Sequence, residues 1–194
     1  MTATTAKIIW LAFMAAWVVL RQRPGRHSRK TPVSYSGRDI RERMLMAASF
    51  TGLGIVPAVY VAAHFPRFSD YPLMPMLTYL GIIVGAACLW LFWRTHRDLG
   101  KNWSVSLDLR ERHTLVTTGV YALVRHPMYS AFWLMALTQA LLLPNWIAGP
   151  AGLVGFGTLF FGRVGREEEM MMSAFGEEYR TYMGHTARVV PWLY

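Results

Sequence analysis

Residues 73–93 read LMPMLTYLGIIVGAACLWLFW, a stretch that contains no charged side chain. An α-helix of roughly 20 apolar residues crosses the hydrocarbon core of a bilayer. Backbone polar groups in lipid must bond to one another, so this run predicts a membrane-spanning helix. The composition agrees, because hydrophobic residues make up 54% of the chain and charged residues only 16%, against about 25% charged residues in soluble domains.

Four more apolar runs flank this stretch. They cover residues 5–20, 44–63, 128–143 and 146–162. Pro57 predicts a kink in the second span, because proline lacks the N–H of an interior helical hydrogen bond. The last two runs are short, and Pro144 and Asn145 between them favour a turn. The pattern predicts an all-α integral membrane protein with five transmembrane helices, the last two forming a helical hairpin.

The distribution of Lys and Arg predicts the orientation of the chain in the membrane. Of the 20 basic residues, 18 fall within residues 21–43, 94–125 and 163–188, which five spans would place on one side. Lys7 and Arg67 fall on the other side. Lys and Arg are enriched in cytoplasmic loops, so we expect the N-terminus outside and the C-terminus in the cytoplasm. Basic residues confined to loops also favour contact with membrane lipids over binding of nucleic acid, despite the net charge of +9.

A polar group precedes the fourth apolar run. Pro127 suits the first turn of a helix, which places Arg125 and His126 at the helix N-terminus near the membrane surface. Two cations at the positive end of a helix dipole are locally unfavourable. They therefore indicate a bound ligand or, as the alternative, an anchor to lipid headgroups.

A second polar group, including Glu167 and Glu168, follows the fifth run. Carboxylates beside a bilayer are costly and indicate function, although a solvated helix end paired with Arg is the alternative. Consecutive helical residues differ by about 100°, so we expect one glutamate to face the interior and its neighbour to face water. Glu169 leaves the register open.

The C-terminal tail is predicted to hold a short amphipathic helix. Gly176 should end the fifth helix. Tyr179 and Tyr182 are three residues apart and would share one face of the next helix. An aromatic belt at the membrane surface is the alternative for this pair. No metal is expected, since the sequence has no Cys or His cluster with zinc spacing.

Ordered motifs run through the second half of the chain. They are Leu115-Val-Thr-x-Gly119-Val-Tyr121, Arg125-His126-Pro127-x-Tyr129, Glu167-Glu168, Phe175-Gly176-x-x-Tyr179-x-x-Tyr182 and Arg188-x-x-Pro191. Taken together and in order, these motifs resemble the isoprenylcysteine carboxyl methyltransferase family, and a prokaryotic integral membrane member in particular. The resemblance covers residues 113 onward, and the first three helices carry no matching motif.

The resemblance implies S-adenosylmethionine as the methyl donor, with S-adenosylhomocysteine as the product, and a lipophilic or prenylated acceptor that arrives from the bilayer. The chain would be one membrane domain, residues 1–194, in which residues 1–93 form three spans. Residues 94–194 would form the catalytic region, with a cytoplasmic cofactor-binding connection, the hairpin and the tail. The resemblance assigns catalysis to Arg125, Glu167 and Glu168, and cofactor binding to His113, Leu115, Gly119, Tyr121, Arg125, His126, Pro127, Glu167 and Tyr179.

The chemistry of the acceptor stays open at this point. Transfer of a methyl group to a carboxylate needs no general base, whereas an amine acceptor would need one, and Glu168 is the candidate. Glu167 would meet the cofactor's ammonium group, and Arg125 its carboxylate. The alternatives are a phospholipid or amine methyltransferase, an NADPH-dependent membrane reductase and a non-catalytic membrane subunit.

Overall fold

The computed structural model describes residues 2–28, 33–36, 39–100, 108–110 and 114–193. Helices dominate these residues. They are α1 (Ala3–Ser28), α2 (Ile40–Phe50), a π-helical turn (Thr51–Ile55), α3 (Val56–Ala63), α4 (Pro75–Leu99), α5 (Pro127–Leu142), α6 (Ala151–Phe175) and α7 (Glu177–His185). Short 3-10 helices cover Arg67–Ser69 and Gly119–Ala122.

One element departs from the all-α prediction. Strand β1 (Val33–Ser36) pairs antiparallel with β2 (Asp108–Arg110). The two strands lie in the connections that follow α1 and α4. The ladder joins two connections that are distant in sequence, so apolar periodicity along the chain gave no sign of it.

The three long apolar helices predicted in the first half of the chain are present in the structure. The helical stretches Ala3–Gln22, Ile40–Ala63 and Pro75–Leu99 are each long and apolar enough to cross a membrane. Large apolar side chains such as Ile83 and Trp90 are more than half exposed along the third stretch. Lipid is the solvent that suits such a surface, since a soluble protein rarely exposes contiguous apolar area of this kind.

The kink predicted at Pro57 takes the form of a π-helical turn, Thr51–Ile55, directly before α3. A π turn is one of the recognised causes of a bend in a helix. The side chain of Gln139 is fully buried on α5, and its Nε2 donates to the carbonyl oxygens of Gly52 (3.0 Å) and Ala148 (2.7 Å). The amide therefore provides hydrogen bonds to buried carbonyl groups of an irregular stretch of backbone.

The predicted fifth span begins too early. Residues 146–150 form turns, and α6 begins at Ala151 and runs on to Phe175. The side chain of Asn145 explains the delay, because its Oδ1 accepts from the backbone N–H groups of Ile147 (3.0 Å) and Ala148 (2.8 Å). Asn and Asp side chains compete with helical hydrogen bonds in this way.

The two helices of the hairpin differ from the first three spans in different ways: α5 is shorter, and α6 is more highly charged. At 1.5 Å per residue, the 16 residues of α5 extend about 24 Å, short of the roughly 30 Å of a hydrocarbon core. Helix α6 has 25 residues but carries a charged C-terminal half. The count of five spans therefore stays a prediction.

The end of α2 and the π-helical turn after it approach the first turns of α6 closely at small residues. A Cβ atom on Gly52 would lie 2.3 Å from the carbonyl oxygen of Ala151, and one on Gly155 would lie 2.5 Å from that of Ala48. Only glycine permits backbones to come this close. The contact holds the first turns of α6 against the end of α2 and the π-helical turn.

Candidate active site

A cavity of about 360 Å³ lies between helices α1, α2, α4, α5 and α6. One part of its wall is apolar and largely aromatic, formed by Trp17, Leu53, Phe92, Phe132 and Phe156. The other part is polar, formed by Tyr121, Arg125, His126, Arg163, Glu167 and Tyr179. The cavity therefore suits either one molecule with a charged end and a hydrocarbon end, or a charged molecule beside a hydrocarbon one.

The segment before α5 is fastened to the end of α4. The backbone N–H of Val120 donates to Oδ2 of Asp98 (3.0 Å). Gly119 has a φ of +64°, and a Cβ atom there would lie 2.1 Å from the same carboxylate oxygen. Both the backbone angle and the space require glycine. This attachment places Tyr121, which is 8% exposed, in the cavity wall.

The C-terminal tail runs alongside the residues that precede α5. The N–H groups of Arg125 and His126 donate to the carbonyl oxygens of Ala187 (2.8 Å) and Arg188 (3.0 Å). The guanidinium Nη1 of Arg125 donates to the carbonyl oxygens of Met183 (3.2 Å) and Thr186. The carbonyls of Met183 and Thr186 lie at the C-terminal end of α7, where a helix leaves acceptors without intrahelical partners. The tail is thereby held against the cavity.

Glu168 is the centre of a buried ion-pair network and is 7% exposed. Its Oε1 lies 3.1 Å from Nε of Arg125 and 3.3 Å from Nε2 of His126, and its Oε2 lies 2.6 Å from Nη2 of Arg188. Burial raises the pKa of this carboxyl, but the hydrogen bonds with His126 and Arg188 outweigh burial and lower it to about 2. Glu168 thus stays ionised and joins α6 to both the α5 segment and the tail.

Glu167 lines the cavity itself. Tyr129 Oη donates to its Oε2, Arg163 Nε lies 3.5 Å from the same oxygen, and His126 Nδ1 lies 3.7 Å from Oε1. Burial raises the pKa of Glu167, but contact with His126 and the charge of Arg163 lower it to about 2. Its side chain is 26% exposed, against 8% for Glu168. Glu167 is therefore the carboxylate of this pair that a ligand can reach.

His126 lies between the two carboxylates and is 7% exposed. Burial lowers the pKa of its imidazole, but Glu167 and Glu168 together raise it above the ordinary value. Two adjacent carboxylates favour the protonated ring. Positive and negative side chains therefore alternate in this cluster, and each charge has a neighbour of opposite sign.

The cavity brings most of the predicted site residues together. Those that line it are Leu115, Tyr121, Arg125, His126, Pro127, Glu167 and Tyr179. Gly119 lies against Asp98, and Glu168 lies behind the wall. His113 lies outside the described residues.

One expectation about side-chain direction needs correction, and the alternative given for the two tail tyrosines is contradicted. We expected one of two adjacent glutamates to face water, but Glu167 points to the cavity and Glu168 to the tail, while Glu169 is exposed. The tail packs against α6 and covers the second direction. Tyr179 and Tyr182 are buried, at 2% and 9% exposure, so they are part of the packed structure and not an aromatic belt.

Sequence reasoning left several cavity and network residues off the predicted site. Arg163, Tyr129 and Arg188 were missed as site residues, although Arg163 precedes Glu167 by four positions, the spacing at which helical side chains meet. Glu42 was also missed, and its one signal is an acidic residue at the start of an apolar run. Trp17 and Phe92 gave no signal, because aromatic residues are common in any spanning helix.

The fold and the cavity define a helical integral membrane protein with an amphipathic ligand site. Residues 72–173 match the model of the isoprenylcysteine carboxyl methyltransferase (ICMT) family. The match covers more than half of the chain, and the chain belongs to this family. The family predicted from the sequence motifs is thereby confirmed.

Individual relatives agree with this assignment. A protein-S-isoprenylcysteine O-methyltransferase of Dictyostelium discoideum is 31% identical over 110 residues, which are 51% of this chain and 44% of the relative. One of Schizosaccharomyces pombe is 31% identical, with 56% of this chain and 48% of the relative covered. The chain thus spans about half the length of these curated relatives. A probable member of Oryza sativa subsp. indica is 26% identical over 79% of this chain and 78% of its own length.

A solved structure shares the fold. It is that of a eukaryotic intramembrane Ras methyltransferase, ICMT, with a TM-score of 0.53 and 25% sequence identity. The similarity covers 81% of this chain and 54% of that chain. Together with the family match from residue 72, it shows that the resemblance begins earlier than residue 113 and includes α4. The motifs identified in the sequence begin at residue 113, but the family match also covers α4, the third of the predicted spans.

Proposed function

We propose that this protein transfers a methyl group from S-adenosylmethionine to the carboxylate of an isoprenylcysteine-type acceptor at the membrane. The observation that carries the proposal is the division of the cavity. Its aromatic part lies among the spanning helices, and its charged part lies where α4, α5, α6 and the tail meet. A lipophilic acceptor and a charged donor would then meet at the boundary between the two parts.

The charged part suits the donor. S-adenosylmethionine carries an ammonium, a carboxylate and a sulfonium group. Glu167 would meet a cationic group, and His126 and Arg125 would attract the carboxylate. Nε and Nη1 of Arg125 already contact Glu168 and tail carbonyls, so we infer that Arg125 acts on the donor mainly through its charge and through the order it imposes on the tail.

The reaction with a carboxylate needs alignment more than acid–base catalysis. A new bond forms between the carboxylate oxygen and the methyl carbon while the bond from carbon to sulfur breaks. Sulfur keeps the electron pair and becomes a neutral thioether, and the negative charge of the carboxylate is consumed. Opposite charges disappear along this path, so a dry cavity that holds both reactants in line favours it.

The ionisation of the cluster supports a carboxylate acceptor over an amine. An amine must lose a proton, and its base must be able to take that proton up near neutral pH. Contacts with His126, Arg163 and Arg188 hold the pKa of Glu167 and Glu168 below that of an ordinary carboxyl, which makes both groups poor bases. Glu168 is moreover held by Arg125 and Arg188. The role of general base, considered for Glu168 in the amine alternative, therefore has no support.

The aromatic part suits an isoprenoid chain. Trp17, Phe92, Phe132 and Phe156 form a group of rings along this wall, with one stacked, one tilted and two edge-to-face contacts. Burial of apolar surface stabilises a bound chain by about 25 cal/mol per Å². Residues 1–93 would thus shape the acceptor's part of one membrane domain together with Phe132 and Phe156, and the remainder of residues 94–194 would build the donor's part.

The orientation that we propose puts the N-terminus outside and the C-terminus in the cytoplasm. The charged part of the cavity lies at the end of the bundle where the basic connections lie, including the start of α2 and the end of α4. The opposite end joins Tyr71 to Pro144 and Lys7 to Tyr60. A cytoplasmic donor site follows from the preference of Lys and Arg for that side.

The test uses the purified protein in phospholipid nanodiscs with methyl-labelled S-adenosylmethionine and N-acetyl-S-farnesylcysteine. We expect labelled, base-labile methyl ester in the farnesylcysteine fraction. Base-stable label on added phosphatidylethanolamine, with none on farnesylcysteine, would instead identify an amine methyltransferase. A thermal shift with NADPH but not with S-adenosylhomocysteine would identify a reductase, because a ligand of the folded state raises its melting temperature. The absence of transfer and of any shift would leave a non-catalytic subunit.

A further inference from the structure

We propose that Glu42 is a positioning residue that holds Arg163 in place beside Glu167. This inference rests on the proposed function, because it concerns the carboxylate that is proposed to meet the donor. It assigns a role at the donor site to α2, a helix that lies outside residues 72–173.

Glu42 is a buried carboxylate near the start of a membrane-spanning helix. It is 2% exposed, and its Oε1 lies 2.9 Å from Nη1 of Arg163. An ionisable residue at such a position is costly, and a buried ion pair is often no more stabilising than an apolar pair of the same volume. A contribution to stability alone is therefore a weak explanation for this buried pair. A role at the cavity that Arg163 borders explains it better.

Arg163 connects Glu42 to the cavity. It is 8% exposed and lines the cavity, and its Nε lies 3.5 Å from Oε2 of Glu167, one turn further along α6. The guanidinium thus lies between two carboxylates, 2.9 Å from one and 3.5 Å from the other. Glu42 holds it at the longer distance from Glu167. Without the charge of Glu42, Arg163 would pair directly with Glu167 and take that carboxylate away from a ligand.

A second ion pair between the same two helices provides a matched control. Asp39 Oδ2 lies 2.8 Å from Nη2 of Arg166, with the side chains 47% and 33% exposed. It joins the beginning of α2 to α6, as the Glu42–Arg163 pair does, but neither residue lines the cavity. An effect that comes only from fastening α2 to α6 should appear in both pairs.

The experiment measures S-adenosylhomocysteine affinity by calorimetry, and turnover with N-acetyl-S-farnesylcysteine, on the full chain. The variants are Glu42→Gln, Asp39→Asn, Glu167→Gln and the double variant Glu42→Gln with Glu167→Gln. We expect Glu42→Gln to weaken affinity about tenfold, and Asp39→Asn to change it less than about twofold. In the Glu167→Gln background, Glu42→Gln should have almost no further effect, because the carboxylate that it positions is gone.

Equal effects of Glu42→Gln with and without the Glu167 carboxylate would overturn the inference, as would an equal loss in Asp39→Asn. If Glu42→Gln does not fold, as judged by its melting temperature, Glu42→Asp replaces it in the same cycle. This variant keeps the charge but draws Arg163 away from Glu167, and its effect should likewise vanish in the Glu167→Gln background. Failure of the wild type to bind S-adenosylhomocysteine or to turn over would refute the proposed function itself, and is seen before any variant is compared.

Discussion

Two polar networks lie at opposite ends of this helical bundle, and they differ in what they surround. The charged cluster, formed by Arg125, His126, Arg163, Glu167, Glu168 and Arg188, borders a cavity. The loop network, formed by His64, Asp70 and Asn145, fastens the connection after α3 to the turn before α6.

The difference lies in burial and in what each charge contacts. In the loop network, Nε2 of His64 lies 2.6 Å from Oδ2 of Asp70, with the side chains 45% and 30% exposed. Asn145 Nδ2 donates to Asp70 Oδ1 (2.8 Å) and to the carbonyl of Pro66 (2.8 Å). In the charged cluster, the side chains of Arg125, His126, Arg163 and Glu168 are no more than 9% exposed, whereas those of Glu167, which faces the cavity, and Arg188 are about a quarter exposed. A network that only joins loops can be exposed to solvent, and its residues can be substituted at little cost. A network that binds a charged ligand must exclude water and hold its charges in place before the ligand arrives.

The largest effect is expected from Glu168→Gln. This change removes the negative charge shared by Arg125, His126 and Arg188, and the buried guanidinium of Arg125 loses the carboxylate that compensates its charge. The expected cost is about 3–5 kcal/mol of unfolding free energy, together with loss of turnover. Thermal unfolding in detergent measures it. Glu169→Gln, at the exposed neighbour, is the control and should lie within about 0.5 kcal/mol of wild type.

Glu167→Gln should separate binding from folding. Glu167 faces the cavity, so we expect S-adenosylhomocysteine affinity to fall about tenfold or more, since a charge-assisted contact contributes roughly 1.5–3 kcal/mol. The melting temperature should change much less than in Glu168→Gln. Calorimetry and a melting curve on the same preparation check this. Full retention of affinity would place the donor elsewhere.

Phe132→Ala should act on the acceptor and spare the donor. Phe132 stacks on Phe156 with ring centroids 5.3 Å apart in the aromatic part of the cavity. We expect KM for N-acetyl-S-farnesylcysteine to rise several-fold, because about 1–3 kcal/mol of apolar contact is lost, while S-adenosylhomocysteine affinity stays near wild type. Phe161→Ala, at an exposed position on α6, serves as the control. A loss of donor affinity alone would contradict the division of the cavity.

The stability of the charged cluster should decline at alkaline pH. Glu167 and Glu168 raise the pKa of His126 in the folded state. The stabilisation is therefore complete below the ordinary pKa of histidine, about 6.5, and is lost as pH rises through the higher folded value. Melting temperatures between pH 6 and 9 should fall more steeply in wild type than in His126→Gln. Parallel curves would show that His126 carries no proton in the cluster.

The smallest effect is expected from Asp70→Asn in the loop network. Its carboxylate is partly exposed, and exposed ion pairs contribute about 0–1 kcal/mol. Turnover and S-adenosylhomocysteine affinity should match wild type, with a decrease of a few degrees at most in the melting temperature. A loss of affinity comparable to that of Glu167→Gln would mean that the two networks do not differ in the way described.

The sequence predicted what lies close together along the chain. The uncharged run of residues 73–93 predicted a span, and Arg125-His126-Pro127 predicted polar residues at the start of a helix. Adjacent glutamates and Gly176, which ends α6 with a φ of +54°, were likewise visible. All these features depend on spacing within one or two helical turns, which a single sequence reveals.

What the sequence did not predict depends on contacts between distant segments. Glu42 and Arg163 are far apart in the chain, and their pairing results from the close approach of α2 and α6 at Gly52 and Gly155. The ladder of β1 and β2 joins two connections in the same way. The aromatic wall of the cavity could not be separated from lipid-facing aromatic residues, because both kinds occur in apolar helices of the same composition.

The central claim is that one donor molecule binds where Arg125, His126 and Glu167 converge. An experimental structure of the protein with S-adenosylhomocysteine tests it most directly. We predict the ligand in the charged part of the cavity, with its amino group within hydrogen-bonding distance of Glu167 and its sulfur directed toward Phe132 and Phe156. A ligand bound outside this cavity, or one whose polar groups contact none of these three residues, would contradict the account.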